Sequence, residues 1–359
     1  MFAAFVLTVA LLTSGTLAGV FDQPPDLDAP LRAIYLTSGG AASSSFDRYV
    51  EIVASTEVNA IVIDLKDPDG RIAFRPVTEP IRAIAPERYT IKDLPRKLDA
   101  IHAAGGSAIA RVAVFQDNWF AERHPTEALQ RPGGALWRDS IGYAWLDAAS
   151  PVTSQYAVDM AHEAAALGFD EVNFDYIRFP SDGALRSIVF PHWDGETPKT
   201  EIVRRFGETI KRDVGGSGIR TSADVFGLSF YAADGMGIGQ HLETFAPYFD
   251  VLAPMVYPSH YASGFGGHAN PADAPYDVIN RTLERGMARI AALPEEQRPA
   301  VRPWLQDFNL GAVYTDAMVR AQMQAVDDNG GSGWMLWNPV GRFHTGALHR
   351  EGMRASGTE

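Results

Sequence analysis

The sequence predicts an α/β protein, a single-domain (β/α)8 TIM barrel. Three observations point there. Apolar runs of strand length alternate with amphipathic helical patterns along the chain, which means parallel strands joined by helical crossovers. The 359 residues suit one barrel of this kind. The connections entering strands are short, whereas several leaving them are long: 66–92, 116–153, 180–199 and 258–274. In a barrel those leaving loops build the C-terminal face, where chemistry takes place. A doubly wound open sheet is the other architecture the alternation allows. No linker separates two domains.

The eight predicted strands are Ala33–Thr37, Ala60–Leu65, Ser107–Phe115, Glu171–Tyr176, Arg220–Val225, Val251–Tyr257, Val301–Gln306 and Gly333–Trp337. Between them the pattern predicts helices over Phe46–Ser55, Asp93–Ala104, Ser154–Leu167, Glu201–Asp213, Ile238–Tyr248, Pro275–Ala292 and Asp316–Asn329. Ser154 and Asp316 are candidate N-caps. Gly168 and the pairs Gly105-Gly106 and Gly330-Gly331 are candidate stops.

The ends read differently. Phe2 to Leu12 is apolar and is followed by small residues up to Gly19. This is the pattern of a signal peptide over residues 1–18, cleaved after Ala18, although no Lys or Arg precedes the apolar run. The run is short for a membrane span. The expectation is export, to the periplasm or the exterior, with no membrane insertion once the signal is removed. Residues 19–30 form a Pro- and Asp-rich leader, 31–345 the barrel, and 346–359 a C-terminal helix or tail.

Composition narrows the function. Apolar content of 46% and charged content of 21% describe an ordinary globular core. The net charge is −13, from 44 acidic and 31 basic residues, with no basic run. Nucleic acid is therefore excluded as a partner, since binding it needs clustered Lys and Arg. The absence of cysteine removes disulfides, thiolate metal sites and a Cys nucleophile. None of the nine histidines has metal-ligand spacing, and no dinucleotide, Walker or Gly-x-Ser-x-Gly motif occurs. No cofactor or resident metal is expected, although a Mg²⁺ or Ca²⁺ ion among the acids would be a different chemistry.

The predicted strand ends gather polar residues. In order they offer Tyr35 and Thr37; Asp64, Lys66 and Asp67; Arg111, Gln116 and Asp117; Asn173, Asp175 and Arg178; Ser222 and Asp224; Met255, Tyr257 and His260; Trp304, Gln306 and Asp307; Trp337 and Asn338. Acids on strands two, four, five and seven are not what a packed core contains. The leaving loops add Trp119, Phe120, Trp137, Tyr143, Trp145, His192, Trp193, His260 and Tyr261, whose faces suit stacking on sugar rings or packing as a lid. A carboxylate pair on a polar, aromatic rim is what glycoside hydrolysis needs. One acid protonates the leaving oxygen and the other attacks the anomeric carbon or activates water. Burial and mutual repulsion would raise the proton affinity of one of the two.

At these residues the chain resembles the putative glycosyl hydrolase domain family, which has a TIM-barrel fold. The resemblance rests on GFDEVNFDYIRFPSDG over 168–183. Further support comes from RAIYLT at 32–37, NAIVIDLKD at 59–67, SADVFG at 222–227, MVYPSHY at 255–261 and PWLQDF at 303–308. The chain is also distantly similar to alpha-amylase-like barrels, whose nucleophile follows strand four and whose general acid follows strand five. That similarity implies Asp175 as nucleophile and Asp224 as acid/base, with Asp standing where Glu is usual on strand five. A second barrel arrangement, with the acid/base on strand four and the nucleophile on strand seven, implies Asp175 with Asp307. The expected substrate is a polysaccharide or oligosaccharide, an envelope or matrix glycan. Arg111 or Arg178 is expected to steer the ionisation of Asp175. Asp64, Tyr257, Asp307 and Asn338 are expected to bind sugar hydroxyls, and Trp304 and Trp337 to form the subsite floor. The rivals are a non-catalytic glycan-binding barrel and a divalent-metal hydrolase or lyase using Asp64, Asp175, Asp224 and Asp307.

Overall fold

Runs of Ile, Val and Ala place eight parallel strands in one closed sheet in the computed structural model, which describes residues 29–349. The strands are β1 (Leu31–Leu36), β2 (Ala60–Lys66), β3 (Ser107–Ala113), β4 (Glu171–Asp175), β5 (Arg220–Phe226), β6 (Val251–Met255), β7 (in two pieces, Ala300–Val301 and Trp304–Gln306) and β8 (Gly333–Trp337). Each pairs in parallel with the next, and β8 returns to β1 with Leu31 opposite Gly333. Every residue of β2, β3 and β4 is buried, because helices cover the outside and the lumen is filled. The fold is thus the (β/α)8 barrel that the alternation predicts.

The helices are Phe46–Ser55, Leu94–Ala103, Pro151–Leu167, Lys199–Val214, Pro275–Ala291 and Asp316–Asp328, with shorter ones in the loops. Three predicted details change. The third of these begins at Pro151, not at Ser154. Its cap is Ser150, whose hydroxyl accepts from the amides of Val152 and Thr153. Proline at the first helical position needs no partner for its missing N–H. The last begins after Thr315, which caps it in place of Asp316. The predicted helix Ile238–Tyr248 shrinks to Leu242–Phe245 with a 3-10 turn at Ala246–Tyr248, because Gly237 and Gly239 hold positive φ just before it.

β7 is broken where the sequence reads Arg302-Pro303. Proline has no N–H for the ladder, so the strand parts there. Arg302 still donates its amide to the Leu252 carbonyl at 2.9 Å, and its side chain is fully buried.

The loop after β3 is a small sheet-like lid, with bridges such as Gln116–Trp145 and Ala128–Leu146, and Gln130–Val189 ties it to the loop after β4. Trp137 and Trp145 are buried in it, with Phe120 and Tyr261 also buried in the fold, so these four of the predicted rim aromatics pack rather than face solvent. At the C-terminus a 3-10 turn, Thr345–Ala347, is the last described element; the expected signal, leader and tail fall largely outside the described residues. No described helix is long and apolar enough to cross a membrane.

Barrel closure depends on a glycine. Gly333 has a φ of 97°, and a Cβ there would lie 1.9 Å from the Leu31 carbonyl oxygen. Gly333→Ala is expected to destabilise the fold by about 3 kcal/mol, because backbone on both sides must move. Urea unfolding followed by tryptophan fluorescence measures this.

Candidate active site

Alternation along each strand brings every second side chain into the lumen. Its lower part holds an apolar cluster of Leu31, Ala33, Ala60, Val62, Ile109, Ala253 and Met335. At the C-terminal end the same phase delivers Tyr35, Asp64, Arg111, Asp175, Asp224, Trp304 and Trp337.

Arg111 sits among three carboxylates from three strands. Nη1 donates to Asp64 Oδ1 at 2.6 Å, Nη2 donates to Asp175 Oδ2, and Nε lies 3.8 Å from Asp224 Oδ2. Burial opposes the guanidinium charge, but Asp64 and Asp175 outweigh it and hold its proton affinity well above the ordinary value. Its carbon lies 5.0 Å from the centre of the Trp337 ring and 5.6 Å from that of Tyr35. Those two rings stack at 3.9 Å, and Trp304 meets Trp337 edge-on at 5.5 Å. The Tyr35 hydroxyl donates to Asp64; burial and the Asp64 charge push its phenol far up, so it remains a donor.

The two acids on β4 and β5 differ in environment. Asp175 is 6% exposed, and its Oδ1 accepts from the Tyr176 amide at 2.5 Å. Tyr176 has a φ of 55°, an uncommon conformation for a bulky residue, so the chain turns sharply just past the acid. Asp224 is 1% exposed. Its Oδ1 accepts from Trp304 Nε1 at 2.7 Å and Asn173 Nδ2 at 2.9 Å, while Oδ2 has no hydrogen-bond partner. Burial, then the neighbouring Asp175, raise the Asp224 carboxyl well above its usual range. Burial also raises Asp64, against the pull of Arg111 and Tyr35. Burial and Asp64 push Asp67, which accepts from Ser38 Oγ at 2.9 Å, up to about 7.

Under Asp224 a buried hydrogen-bond chain descends through the lumen. Asn173 also donates to Ser222 Oγ at 3.0 Å, Ser222 donates to Glu171 at 2.5 Å, and Arg302 closes on Glu171.

The other predicted residues are placed as follows. Tyr257 is buried beside the cluster, its phenol pushed up by burial and then by Asp224 and Asp175. Arg178 lies just past β4 against the rings of Phe226 and Trp145. Asp307 is turned onto His344, accepting from both its backbone amide at 3.0 Å and its ring. The Asn338 amide donates to the Asp307 and Arg342 carbonyls, so both residues pin the loop after β8. Lys66 pairs with Asp117 at 2.6 Å, Gln116 donates to Asp139 at 2.8 Å, and Gln306 bonds Gln322; these polar strand-end groups hold loops. The site residues that sequence reasoning left out of the chemistry are Tyr35 and Asn173, named only as strand-end groups, and the floor pair Glu171 and Arg302. The period-two phase carries the signal for Glu171 and Asn173, since 171, 173 and 175 share a face.

Residues 33–343 match the family described as Putative glycosyl hydrolase domain. The chain belongs to that family. No curated protein matches it in sequence. Solved structures similar to it include glycoside hydrolases. The glycoside hydrolase domain of PgaB (BpsB) from Bordetella bronchiseptica aligns with a TM-score of 0.61 and 14% identity, over 87% of this chain and 95% of that one. The glycoside hydrolase domain of PelA from Pseudomonas aeruginosa aligns with a TM-score of 0.50 and 9% identity, over 87% and 96%. An alpha-galactosidase from Thermus thermophilus, in complex with p-nitrophenyl alpha-D-galactopyranoside, gives 0.53 and 14%, over 87% of this chain and 58% of the enzyme. At these identities the likeness is one of fold. Family membership places this barrel among putative glycosyl hydrolases.

Arg111→Met leaves buried carboxylates without their cation. It is expected to destabilise the protein by about 3 kcal/mol, and adding Asp64→Asn to recover part of that loss. Chemical unfolding of both variants tests this.

Proposed function

We propose that the chain is a glycoside hydrolase that cleaves a polysaccharide, with Asp175 as nucleophile and Asp224 as general acid/base. The observation that carries this reading is the unequal treatment of the two acids. Arg111 binds Asp175 directly, whereas Asp224 is buried, raised in proton affinity, and 3.8 Å from the same guanidinium. Asn173 and Trp304 occupy Asp224 Oδ1, which leaves Oδ2 to carry the proton. Asp175 attacks the anomeric carbon while Asp224 protonates the departing glycosidic oxygen. Water, deprotonated by Asp224, then releases the sugar from Asp175. Family membership and the resemblance of the barrel to glycoside hydrolase domains support the assignment.

Trp337, stacked on Tyr35 and half-buried, suits a sugar-ring platform, with Trp304 behind it. Asp64 and Tyr257 suit hydroxyl contacts. Asp307 and Asn338 act on substrate through the loop they pin. Arg111 takes the place at which a divalent ion would bridge Asp64, Asp175 and Asp224, so the metal-dependent reading is not adopted. An envelope or matrix glycan, met after export, is the proposed polymer.

The test is release of reducing ends from a panel of envelope and matrix glycans. Asp175→Asn is expected to lose about 10³-fold or more in kcat. Asp224→Asn is expected to lose comparable activity on natural glycans but to retain the first step on aryl glycosides, whose leaving groups need no proton. Retention of anomeric configuration, read by NMR, is expected; inversion would make Asp175 the base that activates water. Binding without release would make the chain a glycan-binding barrel, and activity abolished by chelation and restored by a divalent ion would make it metal-dependent.

The raised Asp224 sets a pH dependence. Activity requires its protonated form and falls as pH rises through the raised value. Stability has the same sign: the folded state holds this proton more tightly. That contribution is complete below the unfolded value of about 3.9 and is lost as pH rises through the folded one. Asp224→Asn should therefore be more stable than the wild type near neutral pH, by about 1 kcal/mol. Thermal unfolding across pH measures this.

A further inference from the structure

We propose that Arg178 is the anchor for a carboxylate on the substrate, so that the polymer is an acidic glycan with a uronic-type sugar bound beside the scissile bond. This rests on the glycosidase reading of Asp175 and Asp224.

Arg178 lies three positions beyond Asp175 and is 8% exposed. Its guanidinium carbon is 4.6 Å from the ring centre of Phe226, 4.9 Å from that of Trp145 and 5.7 Å from that of Tyr176. These rings come from the ends of β5 and β4 and from the lid. Nη1 donates to the Phe179 carbonyl and to Ser181 Oγ, each at 3.2 Å. Among the described residues, Nε and Nη2 make no hydrogen bond and no carboxylate pairs with Arg178.

The acids whose charge reaches it are all engaged elsewhere. Asp175 binds Arg111. Asp182 accepts from the Ser140 amide at 3.0 Å and its hydroxyl at 2.8 Å. Asp139 accepts from Gln116 at 2.8 Å, Trp145 Nε1 at 2.9 Å, and the amides of Tyr143 and Ile141. The buried arginines of the lumen, Arg111 and Arg302, each bind a carboxylate directly. Arg178 is a buried cation to which the described residues supply aromatic faces and no direct carboxylate partner, and burial weakens its hold on its proton.

An unpaired buried charge is unfavourable, and cation–π contacts offset only part of that. What remains open is the Nε/Nη2 edge of the guanidinium. That edge matches the two oxygens of a planar carboxylate, which it binds bidentately. A carboxylate bound there would sit next to Asp175, in the subsite where bond cleavage is proposed. The net charge of −13 repels a polyanion at long range, so the contact is best measured at about 0.15 M salt, where the screening length is about 8 Å.

The experiment compares a polyuronate, its methyl ester and a sulfated polymer, using the wild type, Arg178→Gln and Arg178→Lys. Hydrolysis is read with these proteins, and binding with Asp224→Asn and with Asp224→Asn combined with Arg178→Gln. The polyuronate is expected to bind about 10- to 100-fold more tightly than its ester. Arg178→Gln should erase that preference, chiefly by raising KM for the polyuronate far more than for the ester; Arg178→Lys should restore the charge but not the full preference. Equal binding of acid and ester, or a preference for the sulfated polymer, overturns the proposal. Matched thermal unfolding of Arg178→Gln and the wild type excludes misfolding as the cause. Binding selectivity without any hydrolysis would overturn the glycosidase reading and leave the carboxylate anchor standing.

Discussion

The upper half of this barrel is organised by one buried guanidinium. Arg111 stands on β3 between the acids of β2 and β4, with the acid of β5 a little further off. Three buried carboxylates this close would repel one another. With Arg111 among them, two become direct partners and the third is left with an oxygen that nothing binds. The contact at 2.6 Å to Asp64 and the gap of 3.8 Å to Asp224 thus give the three acids unequal shares of one cation. Trp337 and Tyr35 pack against the same cation and are aligned by it.

β4 supplies more of this arrangement than any other strand. Its inward positions are Glu171, Asn173 and Asp175, three polar side chains that meet Ser222 and Arg302 from β5 and β7. Asp175 meets Arg111 at the top. Asn173 orients Asp224 across the barrel, and Glu171 takes the side chain that the break in β7 admits. The left-handed turn at Tyr176 then ends the alternation and carries the chain towards Arg178. The long quoted motif from 168 to 183 therefore encodes a run of polar contacts and a turn.

Most of this was legible in the sequence because strands have a fixed period. Once the eight runs are phased, Asp64, Arg111, Asp175 and Asp224 must share a cavity, and they do. Side chains past the strand ends were harder to read, since alternation no longer governs them. Asp307 and Asn338 follow the last residues of their strands and turn onto His344 and loop carbonyls. Trp137 and Trp145 looked like rim aromatics, yet a bridged lid buries them, held partly by Asp139. The Ser150 cap is marked in the sequence by Pro151, which suits the first helical position. The break in β7 was also written plainly, as a proline inside a strand.

At the floor, Glu171 and Arg302 are 131 residues apart in the chain, and both are sealed from solvent. Neither half of the barrel can satisfy its own charge. A fragment ending after β4 carries a carboxylate built for burial, and one beginning after it carries the matching cation. The barrel is therefore indivisible by truncation, whereas two separately expressed halves have an electrostatic reason to find each other. During synthesis on the ribosome this lock can engage only once β7 has emerged, so the lumen stays open to water until nearly the whole barrel exists.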